Sequence, residues 1–395
     1  MPFKLPPEMA EATRLTRAGK LAEATAVLQR LLRGGTAAES ARPGAGKTID
    51  AEYEVIDPAS TPADAAARSN GRPRTKPGSG LRETLRGLAA RAKAAALDRQ
   101  VKAPRPEPEP LPEGASFVTG SYTNAAGTRG YKLFTPPRRP GGPPMPLIVM
   151  LHGCTQSPDD FAAGTQMNAL AAAEGFLVLY PAQPTFANPN KCWNWFVPGD
   201  QRRDLGEPSL IAGITRQIMR ENAVDPSRVY VAGLSAGGAT AAIMGAAYPD
   251  LFAAVGVHSG LPFGAAQDLQ SALAAMRDGP KGTPIGNRPM PTIVFHGDQD
   301  AVVNLRNGDA VAAQATASAA GLTRTTQQGE APGSYAYNRI IQADASGRAI
   351  CEQWTIHGAG HVWLGGNPSG TYTDPKGPDA SREMLRFFLE HRRAG

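Results

Sequence analysis

The residues best placed to do chemistry lie in Gly233-Leu234-Ser235-Ala236-Gly237, which follows the apolar run Val229-Tyr230-Val231-Ala232 and leads into a stretch of small residues. A serine on a sharp strand-to-helix turn has crowded backbone, so the positions two before and two after it must lack bulk. Such a turn exposes the serine oxygen and aims the next amide, here that of Ala236 at a helix N-terminus, into the same space. The chemistry is nucleophilic attack on a carbonyl, and it needs a base and an acid to orient that base.

Both follow in the order Ser, acid, His that this architecture requires. Pro291-Thr292-Ile293-Val294-Phe295 reads as a short core strand ending in His296-Gly297-Asp298-Gln299-Asp300, so two carboxylates occupy one loop. Asp300 is favoured, because an Asp at the tight Gly297 turn is expected to bond local amides. Ile350 to Ile356 alternates like a strand and opens into His357-Gly358-Ala359-Gly360-His361, where glycines let the loop carry His361 back over the sheet edge. His361 is the expected base, with His357 its one competitor. His152, His258, His296 and His391 read as structural, at strand ends or in the last helix. A second amide must help hold the oxyanion, and the continuous apolar run Pro146 to Leu151 ends in His152-Gly153-Cys154, which nominates the Cys154 N–H.

These runs carry a specific resemblance. Leu151-His152-Gly153-Cys154-Thr155-Gln156, Lys191-Cys192-Trp193-Asn194-Trp195-Phe196 and the Ser235 turn together resemble the polyhydroxybutyrate-depolymerase family of esterases, within the α/β-hydrolase fold, over about residues 115 to 395. The resemblance implies a triad at Ser235, Asp300 and His361. It implies hydrolysis of short-chain 3-hydroxyalkanoate esters, with feruloyl or acetyl esters of plant polysaccharide as the related alternative, because one fold hosts many ester specificities. Trp193, Trp195, Phe196 and Trp363 are then candidates for an apolar wall around the substrate, or else core packing. Three cysteines are too few for a disulfide scaffold and wrongly spaced for zinc. Two of them fall in the family-like runs, which points to one Cys154–Cys192 bridge; the competing reading is three buried thiols in a reducing compartment. No cofactor or metal is expected.

The elements that must position these groups alternate between strand and helix. A hairpin over Ser116 to Thr135, strands from Leu147 and over Phe176 to Tyr180, a crossover helix over Pro208 to Glu221, a strand over Leu251 to Val257 and a closing helix over Ser381 to His391 imply a doubly wound, mainly parallel sheet. Residues 113–395 form the expected catalytic domain.

The preceding 112 residues read differently. Residues 1–33 are expected to form a helical hairpin, 34–80 a flexible linker, and 81–112 a basic amphipathic helix followed by a proline-rich spacer. Residues 1–112 hold 19 basic and 13 acidic side chains against 22 and 22 in the remainder, so the whole excess of +6 lies in this arm. Neutrality of the catalytic region argues against a nucleic-acid or strongly acidic substrate for its active site. Leu81 to Gln100 is either a solvated helix or a contact for an anionic surface such as a storage granule, and the latter yields the non-enzyme alternative of a surface-binding protein. Gly44-Ala45-Gly46-Lys47-Thr48 imitates a phosphate loop, but no strand precedes it and Ala41 stands where its first Gly belongs. Met1 to Ala10 lacks the pattern of a secretion signal, which favours the cytoplasm, whereas the resemblance leans toward secretion. No polymer-gripping module follows the closing helix, so attack on crystalline polymer is not expected.

Overall fold

The computed structural model describes residues 111–138, 141–282, 289–330 and 334–393. The hairpin, linker and basic helix expected over residues 1–100 lie outside the described residues.

The chain enters through an antiparallel hairpin, β1 (Ser116–Asn124) and β2 (Gly127–Thr135), as expected. There follow β3 (Met145–Leu151), α1 (Pro158–Thr165), α2 (Met167–Glu174), β4 (Leu177–Pro181), α3 (Gly206–Glu221), β5 (Val224–Leu234) and α4 (Ala236–Ala247). Next come β6 (Ala254–His258), α5 (Leu269–Asp278), β7 (Thr292–Gly297), α6 (Arg306–Thr316), β8 (Thr323–Glu330), β9 (Ala336–Ala343) and β10 (Ala349–Ile356). Two short strands, β11 (Trp363–Leu364) and β12 (Thr373–Asp374), precede the closing helix α7 (Ala380–Leu389).

Ten strands form one sheet in the order β1-β2-β4-β3-β5-β6-β7-β10-β9-β8. Pairing is parallel from β4 through β10 and antiparallel at both edges. The alternation of strand side chains divides the core cleanly. Leu147, Val149, Leu151, Val229 and Val231 point to the face covered by α3, α4, α5 and α6. Ile148, Met150, Tyr230 and Ala232 point to the face covered by α1, α2 and α7. Strands apolar on both sides must be buried on both sides, which is why a parallel centre with two helical layers is the stable solution.

The strand expected from Leu251 begins instead at Ala254. Leu251 and Phe252 both donate backbone N–H groups to the Tyr248 carbonyl, so these apolar residues close the end of α4 before the strand starts. Because β5, β6, β7 and β10 run parallel, the loops leaving their C-terminal ends share one sheet edge, and those loops carry Ser235, Ser259, Asp300 and His361.

Candidate active site

The Ser235 turn is as tight as its glycines imply. Ser235 itself sits at φ 58°, ψ −120°, a conformation that costs a non-glycine residue about 1–3 kcal/mol and persists only where the surroundings enforce it. Its own N–H donates to the His258 carbonyl at 2.9 Å. A Cβ at Gly237 would stand 2.0 Å from the Leu151 oxygen, and one at Gly233 would stand 2.4 Å from the Gly237 carbonyl, so neither position admits a side chain. Packing of α4 against the end of β3 therefore fixes the serine.

The two carboxylates of the loop after β7 each take a histidine. His361 donates through Nδ1 to Asp300 Oδ2 at 2.7 Å, and His357 through Nδ1 to Asp298 Oδ2 at 2.9 Å. The local bonding expected of Asp298 belongs to Asp300 instead: Asp300 Oδ1 accepts the N–H groups of Val302 and Val303, each at 2.9 Å. Asp298 reaches across to the Gly358 N–H at 2.8 Å and staples the neighbouring loop. Burial separates the pairs. The Asp300 and His361 side chains are 0% and 11% exposed, those of Asp298 and His357 28% and 43%. Burial alone would raise the Asp300 pKa, but the charge and hydrogen bond of His361, with His296 and the Val303 amide, outweigh it and hold the carboxyl down at about 2.

The remaining histidines are interior scaffolding. His258 accepts the Leu364 N–H on Nε2 and lies between the rings of Phe295 and Trp363, and burial holds its pKa well below the usual value, with His296 and His361 adding to the effect. His296 bonds the Val303 carbonyl through Nε2 at 2.8 Å and has that nitrogen 3.4 Å from Asp300 Oδ2, which puts it behind this carboxylate. His152 accepts the Gln183 N–H, and burial pushes its pKa down to about 4. His391 is buried and bonds the carbonyls of Phe387 and Ala349.

In the loop after β3, Cys154 is joined to Cys192 by a disulfide, and Cys351 is a buried free thiol whose pKa burial raises to about 12. The bridge closes a sequence separation of 38 residues, which in the chain-entropy account is worth about 4 kcal/mol. The double substitution Cys154→Ser, Cys192→Ser is therefore expected to lower the melting temperature by about 10 °C. A calorimetric scan showing no shift would mean that the bridge does not stabilise the fold.

The apolar wall expected around the substrate needs correction. Trp193 and Trp363 are fully buried, with their indole N–H groups donated to the His152 carbonyl and the Ser381 hydroxyl, and Trp195 is only 6% exposed. Internal acceptors let these indoles sink into the core, so Phe196, packed edge-on against Trp195 and partly exposed, is the one member left with open surface. Sequence reading also passed over Glu207. Its buried carboxylate accepts the backbone and side-chain N–H groups of Asn194, each at 2.8 Å, and a short bond from Gln183, so it anchors the loop that carries Cys192. Burial, reinforced by Asp200, raises its pKa. A lone Glu at the start of a helix gives no hint of partners so far away in sequence. Among the described residues no group of three or more His, Cys, Asp or Glu could hold a metal.

Comparison with known proteins places this architecture. The chain is 35% identical over 251 residues to poly(3-hydroxyalkanoate) depolymerase C of Paucimonas lemoignei, covering 60% of this chain and 58% of that protein. It is 35% identical over 128 residues to feruloyl esterase B of Thermothelomyces thermophilus, covering 32% of this chain and 43% of that one. It thus spans 58% or less of the length of either relative. An acetyl xylan esterase from Aspergillus awamori superposes with a TM-score of 0.53 at 19% identity, over 70% of this chain and 99% of that one, which shows a shared α/β-hydrolase fold. Residues 129–331, about half of the sequence, match the family model described as esterase PHB depolymerase, and the chain belongs to that family.

Proposed function

We propose that this chain is a serine esterase that hydrolyses carboxylic esters through a covalent acyl-enzyme. His361 takes the Ser235 proton on Nε2, the alkoxide adds to the ester carbonyl, and the N–H groups of Cys154 and Ala236 hold the resulting oxyanion. Collapse of that intermediate expels the alcohol, which receives the proton from His361. Water, activated by the same imidazole, then releases the acid. Asp300 keeps His361 in the tautomer that carries its proton on Nδ1 and stabilises the imidazolium as it forms.

The observation that carries this reading is the buried Asp300–His361 bond of 2.7 Å at the sheet edge that also holds the strained Ser235. The preferred substrates are short-chain 3-hydroxyalkanoate oligomers, a choice supported by the longer match to the poly(3-hydroxyalkanoate) depolymerase. The shorter matches to a feruloyl esterase and to an acetylxylan esterase of Emericella nidulans support the alternative of plant-polysaccharide esters. A side-by-side assay of p-nitrophenyl esters, 3-hydroxybutyrate oligomers and methyl ferulate separates the two. Oligomer turnover with the highest kcat/KM supports the first; preference for the ferulate replaces it with the second.

A further inference from the structure

The loop after β3 presents four consecutive amides, and three of them are consumed internally. Gly153 N–H donates to the Gln156 side-chain oxygen Oε1 at 2.9 Å, Thr155 N–H to the Asn190 carbonyl at 2.6 Å, and Gln156 N–H to the Gly153 carbonyl at 3.3 Å. The Cys154 N–H is the one that meets no protein acceptor among the described residues. An ideal Cβ on Gly153 would lie 3.5 Å from the Leu234 carbonyl, so this loop runs directly beside the residue preceding Ser235.

The side chain that sorts these amides is Gln156, which is 2% exposed. While Oε1 holds Gly153, its Nε2 donates to Asp160 Oδ2 at 2.9 Å and to the Thr371 carbonyl at 3.0 Å. Asp160 in turn accepts the Thr371 N–H at 3.1 Å and its hydroxyl. The 371 segment follows His361 and β11, and Trp363 N–H donates to the Tyr372 carbonyl at 2.7 Å. One buried amide therefore joins the loop of the proposed oxyanion donor to the segment leaving the proposed base. Thr155, next to the donor, is held at φ 67°, a strained conformation for a β-branched residue. Its hydroxyl bonds the Cys154 carbonyl at 2.6 Å and lies 3.2 Å from the Tyr372 hydroxyl.

We propose that Gln156 is the positioning residue of the oxyanion site: by turning Gly153 N–H inward and tying the loop to Thr371, it leaves the Cys154 N–H aimed at the developing oxyanion. This rests on the esterase reading above. A preorganised donor contributes to the transition state and little to ground-state binding, so its misplacement lowers kcat and spares KM.

The test is Gln156→Met, which keeps length and removes both polar functions. Turnover of p-nitrophenyl butyrate should fall about 10- to 100-fold in kcat with KM changed less than about twofold. Affinity for a trifluoromethyl ketone, which forms a tetrahedral oxyanion on Ser235, should fall by the same factor, while that for butanamide as a ground-state competitor stays unchanged. Thr371→Val loosens the same anchor from the loop side and carries the test if Gln156→Met does not fold; it should weaken ketone binding about threefold with butanamide unaffected. Wild-type kcat and ketone affinity in these variants, or equal loss of ketone and butanamide binding, overturns the assignment. Full activity in Ser235→Ala would instead remove the reading beneath it; an inactive Ser235→Ala beside a wild-type-like Gln156→Met removes only the role of Gln156.

Discussion

Ser235→Ala is expected to leave a folded protein whose kcat on p-nitrophenyl butyrate is lower by about 10⁶-fold. Alanine occupies the same strained turn, so the backbone, the Ala236 amide and the packing against Leu151 stay in place. Only the oxygen proposed to form the covalent bond is lost, and the residual rate expected is that of the proposed oxyanion donors and substrate binding alone. Circular dichroism and steady-state kinetics on the same preparation check both halves. Turnover within tenfold of wild type in a folded variant would remove Ser235 from the chemistry.

The second large effect distinguishes two aspartates only two positions apart. Asp300→Asn should cost about 10⁴-fold in kcat, whereas Asp298→Asn should cost less than about tenfold. At position 300 an amide oxygen can still accept the Val302 and Val303 N–H groups now bonded to Oδ1, which turns the NH₂ toward His361. The imidazole must then present an unprotonated Nδ1, its proton moves to Nε2, and it can no longer accept one from Ser235. Because the native carboxyl is held down at about 2, it is ionised throughout the neutral range, so wild-type kcat should show no loss from protonation of Asp300 there. At position 298 an Asn can keep the Gly358 N–H bond, and the His357 pair that is disturbed lies exposed. Reversed losses would assign the acid to Asp298 and the base to His357.

Much of this arrangement is legible in the sequence because it obeys short-range rules. The 233–237 turn needs glycines flanking the serine, and strands buried on both faces must read as unbroken apolar runs such as Leu147 to Leu151. What escapes reading depends on partners distant in the chain. The polar run Thr323 to Glu330 has no apolar alternation, since β8 is an edge strand exposed along nearly all its length, and its pairing with β9 is invisible locally. Trp193 and Trp363 look like a binding surface until the His152 carbonyl and Ser381 hydroxyl are found to satisfy them inside. Turn bonding expected of Asp298 is reversed by the fold, in which Asp300 takes the local amides. Burial of the Asp300–His361 pair, a tertiary property, is what separates it from the exposed Asp298–His357 pair.

The proposed covalent intermediate on Ser235 can be trapped by acid-quenched rapid mixing with excess p-nitrophenyl butyrate. An early burst approaching one nitrophenol per chain is expected where deacylation limits turnover, with a butyryl group on the peptide that contains Ser235 by mass spectrometry. Steady ester turnover with that peptide unmodified, or with the acyl group on another residue, would contradict it.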